Sequence, residues 1–554
     1  WTIDRMSANV TASRRDGRSP VNPVNESFQI NGQFNWDLTP RWQASWHPFK
    51  WLFFLPRSVR ETPLNPVPTQ LDYNFNATQT GERMADRNLV ERRRYALTGA
   101  ERFNLALRPF EPLRGTYQLS YDRDLTEDWS LSDGNLGREI GRRQLFDTIW
   151  EPATFRWLTQ RYQFRSDYRE NNDPRFNTRV VTTESGPQTV RMGRDVTSIT
   201  AAEANYALLL TQLLGTPRPR EGLTGLDRFL NDLKELARRM QPVVIDLSQQ
   251  RNANQYNLAG RPGLAYRFGL RAEPDVDRSP AVSTQQSLTR TTDQLNLSAG
   301  VELPLNAYLE TRPRWTWTDN LSESRTTFTS SVTWPSANLR WMGLGSLWIF
   351  PRISRGAMLS SGYEITSEDT DWLNDLEGGI RSPYSNRRTI AWRPFLSLQM
   401  TLNNGMTVTV GRNRMNSVME QLSNRGSRVN TSNADLRFGL TYSFSAPQGI
   451  KIPFFGRQLR FTSDLQLQLD VARSESLTEV QIRRSDDGGI HFYYDHATPT
   501  QSTATWSFQP IIRYDFSRRV QGGLDMLFEN TDDRLMQRTR KVREVALFVN
   551  LFFS

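Results

Sequence analysis

Leu459-Arg460-Phe461-Thr462-Ser463-Asp464-Leu465-Gln466-Leu467-Gln468-Leu469-Asp470-Val471 sets an apolar or small residue at every second position and a polar one between. A period of two places the two sets on opposite faces of a pleated strand, whereas a helix would scatter them around its axis. The alternation exceeds the roughly 9 to 11 residues a tilted strand needs to cross the hydrocarbon layer. One face therefore suits lipid and the other suits water.

The same grammar continues in both directions. Leu436-Phe438-Leu440-Tyr442-Phe444 precedes this stretch, and Leu396-Leu398-Met400-Leu402 and Met406-Val408-Val410 flank Asn403-Asn404-Gly405, a turn whose residues tolerate positive φ. Earlier, Phe28, Ile30, Gly32, Phe34 and Trp36 alternate with Gln29, Asn31, Gln33 and Asn35, and Tyr162-Phe164-Ser166-Tyr168 repeats the phase. Toward the end, Ala504-Trp506-Phe508 and Ile512-Tyr514-Phe516 share a phase across Pro510, which predicts a bulge or a strand rim because proline has no N–H for the ladder. Val545-Leu547-Val549-Leu551-Phe553 is an apolar strand that would aggregate in water unless its edge is paired and its apolar face meets lipid.

These segments predict an all-β fold, a large antiparallel transmembrane β-barrel seen as a partial arc of about 18–22 strands, in the cell outer membrane. Polar stretches such as Gly81 to Arg94, Asp122 to Arg142 and Arg412 to Asn433 read as loops between strands. One region departs from the period of two. Ala201 to Leu214 and Gly225 to Met240 read as helical, with Leu226, Phe229, Leu230, Leu233, Leu236, Ala237 and Met240 at intervals of three and four. Thr224 is the expected N-cap, and Arg238, Arg239 and Pro242 mark the helix end. The division expected is 1–200 for strands with long loops, 201–241 for a helical insert, and 242–554 for strands ending in the closing one. The insert either packs on the barrel rim or lumen, or docks on a membrane surface or partner.

Composition limits the alternatives. Hydrophobic residues are 37%, charged residues 23% and aromatics 11%, spread from end to end, which fits a wide two-faced sheet better than a soluble core. No run approaches 18 consecutive apolar residues, so a helical membrane protein is excluded. The absence of cysteine excludes disulfides, thiolate metal sites and cysteine nucleophiles. The formal charge is +10, carried almost entirely by arginine, since only Lys50, Lys234, Lys451 and Lys541 are lysines. Arginine scattered through strands and turns suits pairing with carboxylates along a wet face, not a nucleic-acid arm. Pairs such as Arg41-Trp42 and Arg340-Trp341 fit an interfacial belt, with tryptophan at headgroup level and arginine reaching phosphate.

Chemistry-bearing residues are sparse. His47, His491 and His496 stand in no metal-ligand spacing. Asp124 with Glu127, Glu368 with Asp369 and Asp371, and Asp486 with Asp487 are close carboxylates, read as solvated loop charge, and Gly378-Gly379 and Gly488-Gly489 read as turns. No catalytic, cofactor-binding or metal-binding residue is assigned, and no enzyme activity is expected. Trp1 begins inside what reads as a strand, so the chain is expected to be cut from a longer polypeptide.

Trp46-His47-Pro48-Phe49-Lys50-Trp51-Leu52-Phe53-Phe54-Leu55-Pro56, followed by Leu71-Asp72-Tyr73-Asn74-Phe75-Asn76, resembles the repeats of the SprA (Sov) family, the giant translocon barrel of the type 9 secretion system. The helical stretch to Met240, then Val243-Val244-Ile245-Asp246-Leu247-Ser248 and Gly260-Arg261-Pro262-Gly263-Leu264, looks like that family's helix, strand and return, and Trp506 to Phe553 looks like its C-terminal closure. The resemblance implies a protein-conducting translocon associated with gliding motility and protein secretion. It further implies secreted protein cargo in a wide lumen, a lateral opening, a plug protein and a shuttle-type barrel partner, with this chain as the C-terminal portion. Two other readings compete with it. One is another outer-membrane barrel, either a TonB-type receptor or a lipopolysaccharide-insertion barrel, and the other is an extracellular all-β adhesion protein. The expected partners also include outer-membrane lipids, and no nucleic acid.

Overall fold

In the computed structural model, the residues described are 5–17, 24–40, 46–47, 50–51, 63–85, 91–130, 135–174, 178–183, 186–191, 193–217, 225–279, 286–322, 325–347, 350–374, 380–422, 426–451, 458–485, 492–517 and 520–551. The first strands are β1 (Met6–Gly17), β2 (Val24–Leu38), β3 (Pro68–Ala85), β4 (Glu91–Phe110), β5 (Leu113–Ser130), β6 (Asn135–Trp150), β7 (Leu158–Asn171), β8 (Thr178–Thr183), β9 (Gly186–Arg191), β10 (Arg194–Leu208), β11 (Val243–Leu258) and β12 (Leu288–Leu303). They are followed by β13 (Ala307–Thr311), β14 (Arg314–Ser322), β15 (Thr326–Trp341), β16 (Ser354–Asn374), β17 (Ile380–Leu402), β18 (Thr407–Gln421), β19 (Ser427–Lys451) and β20 (Gln458–Ser485). The last are β21 (Phe492–Tyr494), β22 (Thr498–Ser517), β23 (Val520–Asp533) and β24 (Arg538–Leu551). The helices are short: α1 (Leu210–Leu214), α2 (Gly225–Arg239), α3 (Leu264–Arg267) and α4 (Phe350–Ile353).

The chain forms two compact units. One holds Trp1–Tyr206, Asp246–Gln294 and Thr318–Thr326, and the other holds Ala207–Ile245, Leu295–Trp317 and Thr327–Ser554. In the first unit β1 to β7 form a meander in which each strand pairs antiparallel with the next. β8 and β9 make a separate two-stranded ribbon. In the second, β15 to β20, β22, β23 and β24 form another antiparallel meander. The architecture is a large, mostly antiparallel all-β structure with a small helical element. Among the described residues, setting aside the separate β8–β9 ribbon leaves 22 strands, within the expected 18–22.

The stretch that fixed the fold lies inside β20 and pairs in register on both sides. Phe438 faces Val471, which faces Phe508; Tyr442 faces Leu467, which faces Ile512. The predicted turn at Asn403-Asn404-Gly405 joins β17 to β18, with Gly405 at φ +87° and the Leu402 N–H donating to the Met406 carbonyl at 2.7 Å. Pro510 does not produce the expected bulge. β22 pairs with β23 through Phe508↔Phe528 and again through Ile511↔Asp525, the same register on both sides. The proline removes a ladder bond without adding a residue.

Two further sequence expectations are corrected. Ala201 to Leu208 is not helical but the end of β10, and among the described residues of the insert the helices are α1 and α2. Small residues such as Ala201, Ala202 and Ala204 carry high helix propensity, but cross-strand partners override it: Asn205 Nδ2 donates to Asp246 Oδ1 on β11 at 2.8 Å. The polar stretches read as loops are also largely strand. β3 runs to Ala85 and β4 resumes at Glu91, and β18 runs to Gln421 and β19 resumes at Ser427. β16, β17, β19 and β20 have 21, 23, 25 and 28 residues. Beyond the hydrocarbon layer both faces of such a strand are wet, so alternation disappears while the ladder continues.

Candidate functional site

In the second unit, one row of directly paired residues runs across ten strands. It reads Leu303, Ala307, Trp341, Leu359, Leu398, Val410, Phe438, Val471, Phe508, Phe528. On β24 the same apolar phase continues as Val545, Leu547 and Val549, and Leu547 is 80% exposed. In water such a band would be an aggregation surface of many side chains. The opposite phase is polar. Asn413 Nδ2 donates to Asp435 Oδ2 at 2.8 Å, Gln468 to Asp470 at 2.7 Å, and Gln509 to Asp525 at 3.0 Å. These polar chains bond one another across and along the strands, which satisfies them on a wet face without a separate core.

The first unit carries its main buried cluster at a folded segment, residues 259–279, that lies as a strap over β5, β6, β7, β10 and β11. Its two ends are clipped together: Ala259 N–H donates to Asp277 O at 2.9 Å, and Ser279 N–H to Asn257 O at 2.8 Å. Asn257 stands at φ +61° and also accepts from the Gly193 N–H at 2.6 Å. Asparagine tolerates that left-handed backbone better than other side chains do. Within the strap, Gly263 N–H donates to Asp275 Oδ1 at 2.7 Å. That bond holds the Asp275 carboxyl below the usual carboxylate range.

The strap docks through aromatics and through one ionic cluster. Tyr266 meets the buried Tyr168 ring edge to face at 6.4 Å, with Val196 and Leu258 completing the cluster. Phe268 packs 5.8 Å from both Tyr117 and Phe146. Arg251 donates to the carbonyls of Gly269 and Arg271 at 2.7 and 2.9 Å, and Ser166 to that of Arg267 at 3.3 Å. Gly269, at φ +72°, lies so close to Thr200 that an added Cβ would stand 2.9 Å from Thr200 Cγ2. Glu170 is the anchor, with its side chain 1% exposed. Arg261 reaches Glu170 Oε2 through Nε at 2.9 Å and also pairs with Glu139. Arg194 joins Glu170 from β10, and Tyr168 Oη donates to Glu170 Oε2 at 3.0 Å. Ser198 Oγ, Thr200 Oγ1, Tyr266 Oη and Arg267 Nε are buried with no hydrogen-bond partner. Each such atom costs about 1–3 kcal/mol, so the polar terms of docking are partly offset.

On the other face of the same strands, Asp167 pairs with Arg143 at 2.7 Å and Arg169 at 3.0 Å. The strap therefore leaves the Asp167 phase of β7 to its own ion pairs and covers the phase of Tyr168 and Glu170. That phase, Tyr162-Phe164-Ser166-Tyr168, was legible as alternation. The strap's attachment was not, because its ion pairs join residues 91 and 122 positions apart. The only local signal was the dense Gly260-Arg261-Pro262-Gly263.

The residues singled out for chemistry do not converge. His47 follows Trp46, which bridges Leu64, and the His496 N–H donates to Asp495 Oδ1 at 2.9 Å. His491, Asp486, Asp487, Gly378, Gly379, Gly488 and Gly489 lie outside the described residues, as does Thr224. The remaining carboxylates are not in loops. Asp124 is in β5 and bonds the Thr126 N–H at 3.0 Å, while Glu368, Asp369 and Asp371 are in β16 opposite Arg387, Asn386 and Pro383. Charge in these strands was misread as loop because a wet strand face accepts it freely. Among the described residues, no group of three His, Asp or Glu is placed to hold a metal ion.

No protein-family model matches the chain, and no curated protein does. Similar solved structures include a mutant of the ferric enterobactin receptor PfeA from Pseudomonas aeruginosa, at 8% identity and TM-score 0.24, covering 99% of this chain and 80% of that one. The siderophore receptor PirA from Acinetobacter baumannii is similar at 6% identity and TM-score 0.22, with the same coverage. Likeness at this level carries no argument about ligand or mechanism. The expected membership of the SprA (Sov) family is corrected, since these similar solved structures are siderophore receptors and not a translocon. With it fall the type 9 secretion and gliding-motility expectations. The phrases that suggested them are strand grammar any large barrel shares, and much of the first, Pro48, Phe49 and Leu52 to Pro56, lies outside the described residues.

The two-faced strands are those of an outer-membrane β-sheet protein. A bilayer admits β-structure only when every ladder group is paired, and the apolar row and its polar reverse meet the two solvents such a protein separates. No described helix is long and apolar enough to cross a membrane.

Proposed function

We propose that the chain is a non-enzymatic outer-membrane transport or receptor barrel of the TonB-type or lipopolysaccharide-insertion kind, in which the apolar row meets lipid and the polar face borders an aqueous path. The observation that carries this reading is the continuous row from Leu303 to Phe528, backed by hydrogen-bonded Asp, Asn and Gln chains on the reverse face. A soluble adhesion protein would bury such a row between two sheets, yet Val410, Leu547 and Val549 are exposed. Outer-membrane lipids are the partner the row calls for, and the polar face suits a hydrophilic solute.

The test is extraction and electrophoretic behaviour of the full chain. Detergent dependence and heat-modifiable migration are the expected results. A chain that stays monodisperse without detergent and migrates identically before and after boiling would overturn the reading. Ion conductance in planar bilayers then tests the aqueous path.

A further inference from the structure

Helix α2 exposes apolar side chains that the sheet does not use. Leu226 is 74% exposed and Phe229 66%, with Leu230 and Leu236 also exposed, while Asn231 and Ala237 are the buried positions. The helix therefore buries little of its own surface and turns most of its apolar stripe outward. Arg228, Asp232, Arg238 and Arg239 occupy the rest of the exposed circumference. This is the pattern of a helix lying in an interface plane.

Its anchor places it beside the apolar row. Met240, directly after the helix, bridges Val301 on β12, and Gln241 N–H donates to Gly300 O at 2.9 Å. Tyr308 Oη on β13 donates to Gln241 Oε1 at 2.7 Å. Val301 shares its face with Leu303, where the row begins, and the turn that follows exposes Leu305. Trp341 in the row donates its indole N–H to Leu305 O at 3.0 Å. Trp341, at the end of β15, marks headgroup level on the apolar face, while Tyr308 holds Gln241 from the opposite phase.

We infer that α2 lies flat on the bilayer at the rim of this sheet, with Leu226 and Phe229 among the acyl chains and Arg228 among the headgroups. The occupant is a lipid surface because the helix is tethered at Val301, two residues before the start of the row assigned to lipid above. This step rests on the outer-membrane reading.

The chain has no cysteine, so single labels can be placed on the full-length protein in nanodiscs of phosphatidylethanolamine and phosphatidylglycerol. NBD attached to L226C and F229C should lose emission to brominated acyl chains and resist iodide, while R228C should lose emission to iodide. L547C serves as the reference for the sheet. If L547C reports lipid while L226C and F229C are quenched by iodide like R228C, the inference about α2 is overturned and the membrane reading stands. Labels at L226C and F229C reached by neither quencher mean a protein partner covers the helix, which also overturns it. If L547C itself is not quenched by brominated chains, the membrane reading fails and the inference with it.

Discussion

Glu170→Ala should release the strap while leaving the rest of the sheet intact. The substitution removes the carboxylate that Arg194, Arg261 and Tyr168 Oη share, from a side chain that is 1% exposed. Breaking a buried ion pair by removing one partner costs about 3–5 kcal/mol. Arg194 and Arg261 keep 27% and 29% exposure and recover some water, so the lower end, about 3 kcal/mol, applies. That corresponds to roughly a 100-fold rise in the population with the strap open. Hydrogen exchange reads it directly at the amides of Gly263, Phe268 and Gly269, which are bonded inside the strap. Trypsin reads it independently through cleavage after the exposed Arg271. Protection in β23 and β24 should not change. If strap exchange rises less than about threefold, the ionic cluster is not what holds the segment, and the aromatic contacts of Tyr266 and Phe268 carry the docking.

Three further outcomes follow from the geometry. Asp275 is held below the ordinary carboxylate range by the Gly263 N–H, so its contribution is present above the unfolded value of 3.8 and lost as pH falls through the lower folded one. Strap exchange corrected for intrinsic rate should rise only below that range, and Asp275→Asn should reduce the pH dependence, the Glu170 cluster supplying the remainder; an unchanged profile would contradict the assignment. Gly269→Ala should loosen the strap by about 1–3 kcal/mol, because φ is positive and Thr200 blocks the new methyl; wild-type trypsin resistance at Arg271 would argue against that packing. Leu547→Arg should cost about 2–4 kcal/mol and reduce the heat-modifiable band if it faces mid-bilayer, while Ala546→Arg on the reverse face should be tolerated; equal yields for both would refute the two-faced assignment.

What the sequence made legible was whatever a strand declares locally. Leu459 to Val471 announces two faces, and the ladders of β19, β20 and β22 keep that phase in register. The turn at Asn403-Asn404-Gly405 was legible because positive φ restricts its residues. Ala201 to Leu208 was not, since alanine propensity favours a helix and the strand is revealed by cross-strand partners such as Asp246 opposite Asn205. Glu368 and Asp369 failed for a related reason: charge marks a loop in a soluble protein, but here β16 carries it on strand surface. The strap lay beyond reach because a Glu170 on β7 and an Arg261 in a connection share no period. Their meeting is a property of the fold and not of either segment.

The meander from β15 to β24 has a consequence for how such a sheet can change over generations. From β16 onward each strand there bonds partners that are its neighbours in the chain, apart from the short β21 on the end of β20, whereas β15 also pairs with β13. Duplicating one hairpin, such as the genetic interval for β17 and β18, would add a repeat whose outer edges match the existing ones without rewiring any other register. Deleting one would close the gap in the same way. The sheet can therefore be widened or narrowed two strands at a time by ordinary recombination. Residues 259–279 cannot be moved so freely, because their ties reach back to β6 and β7.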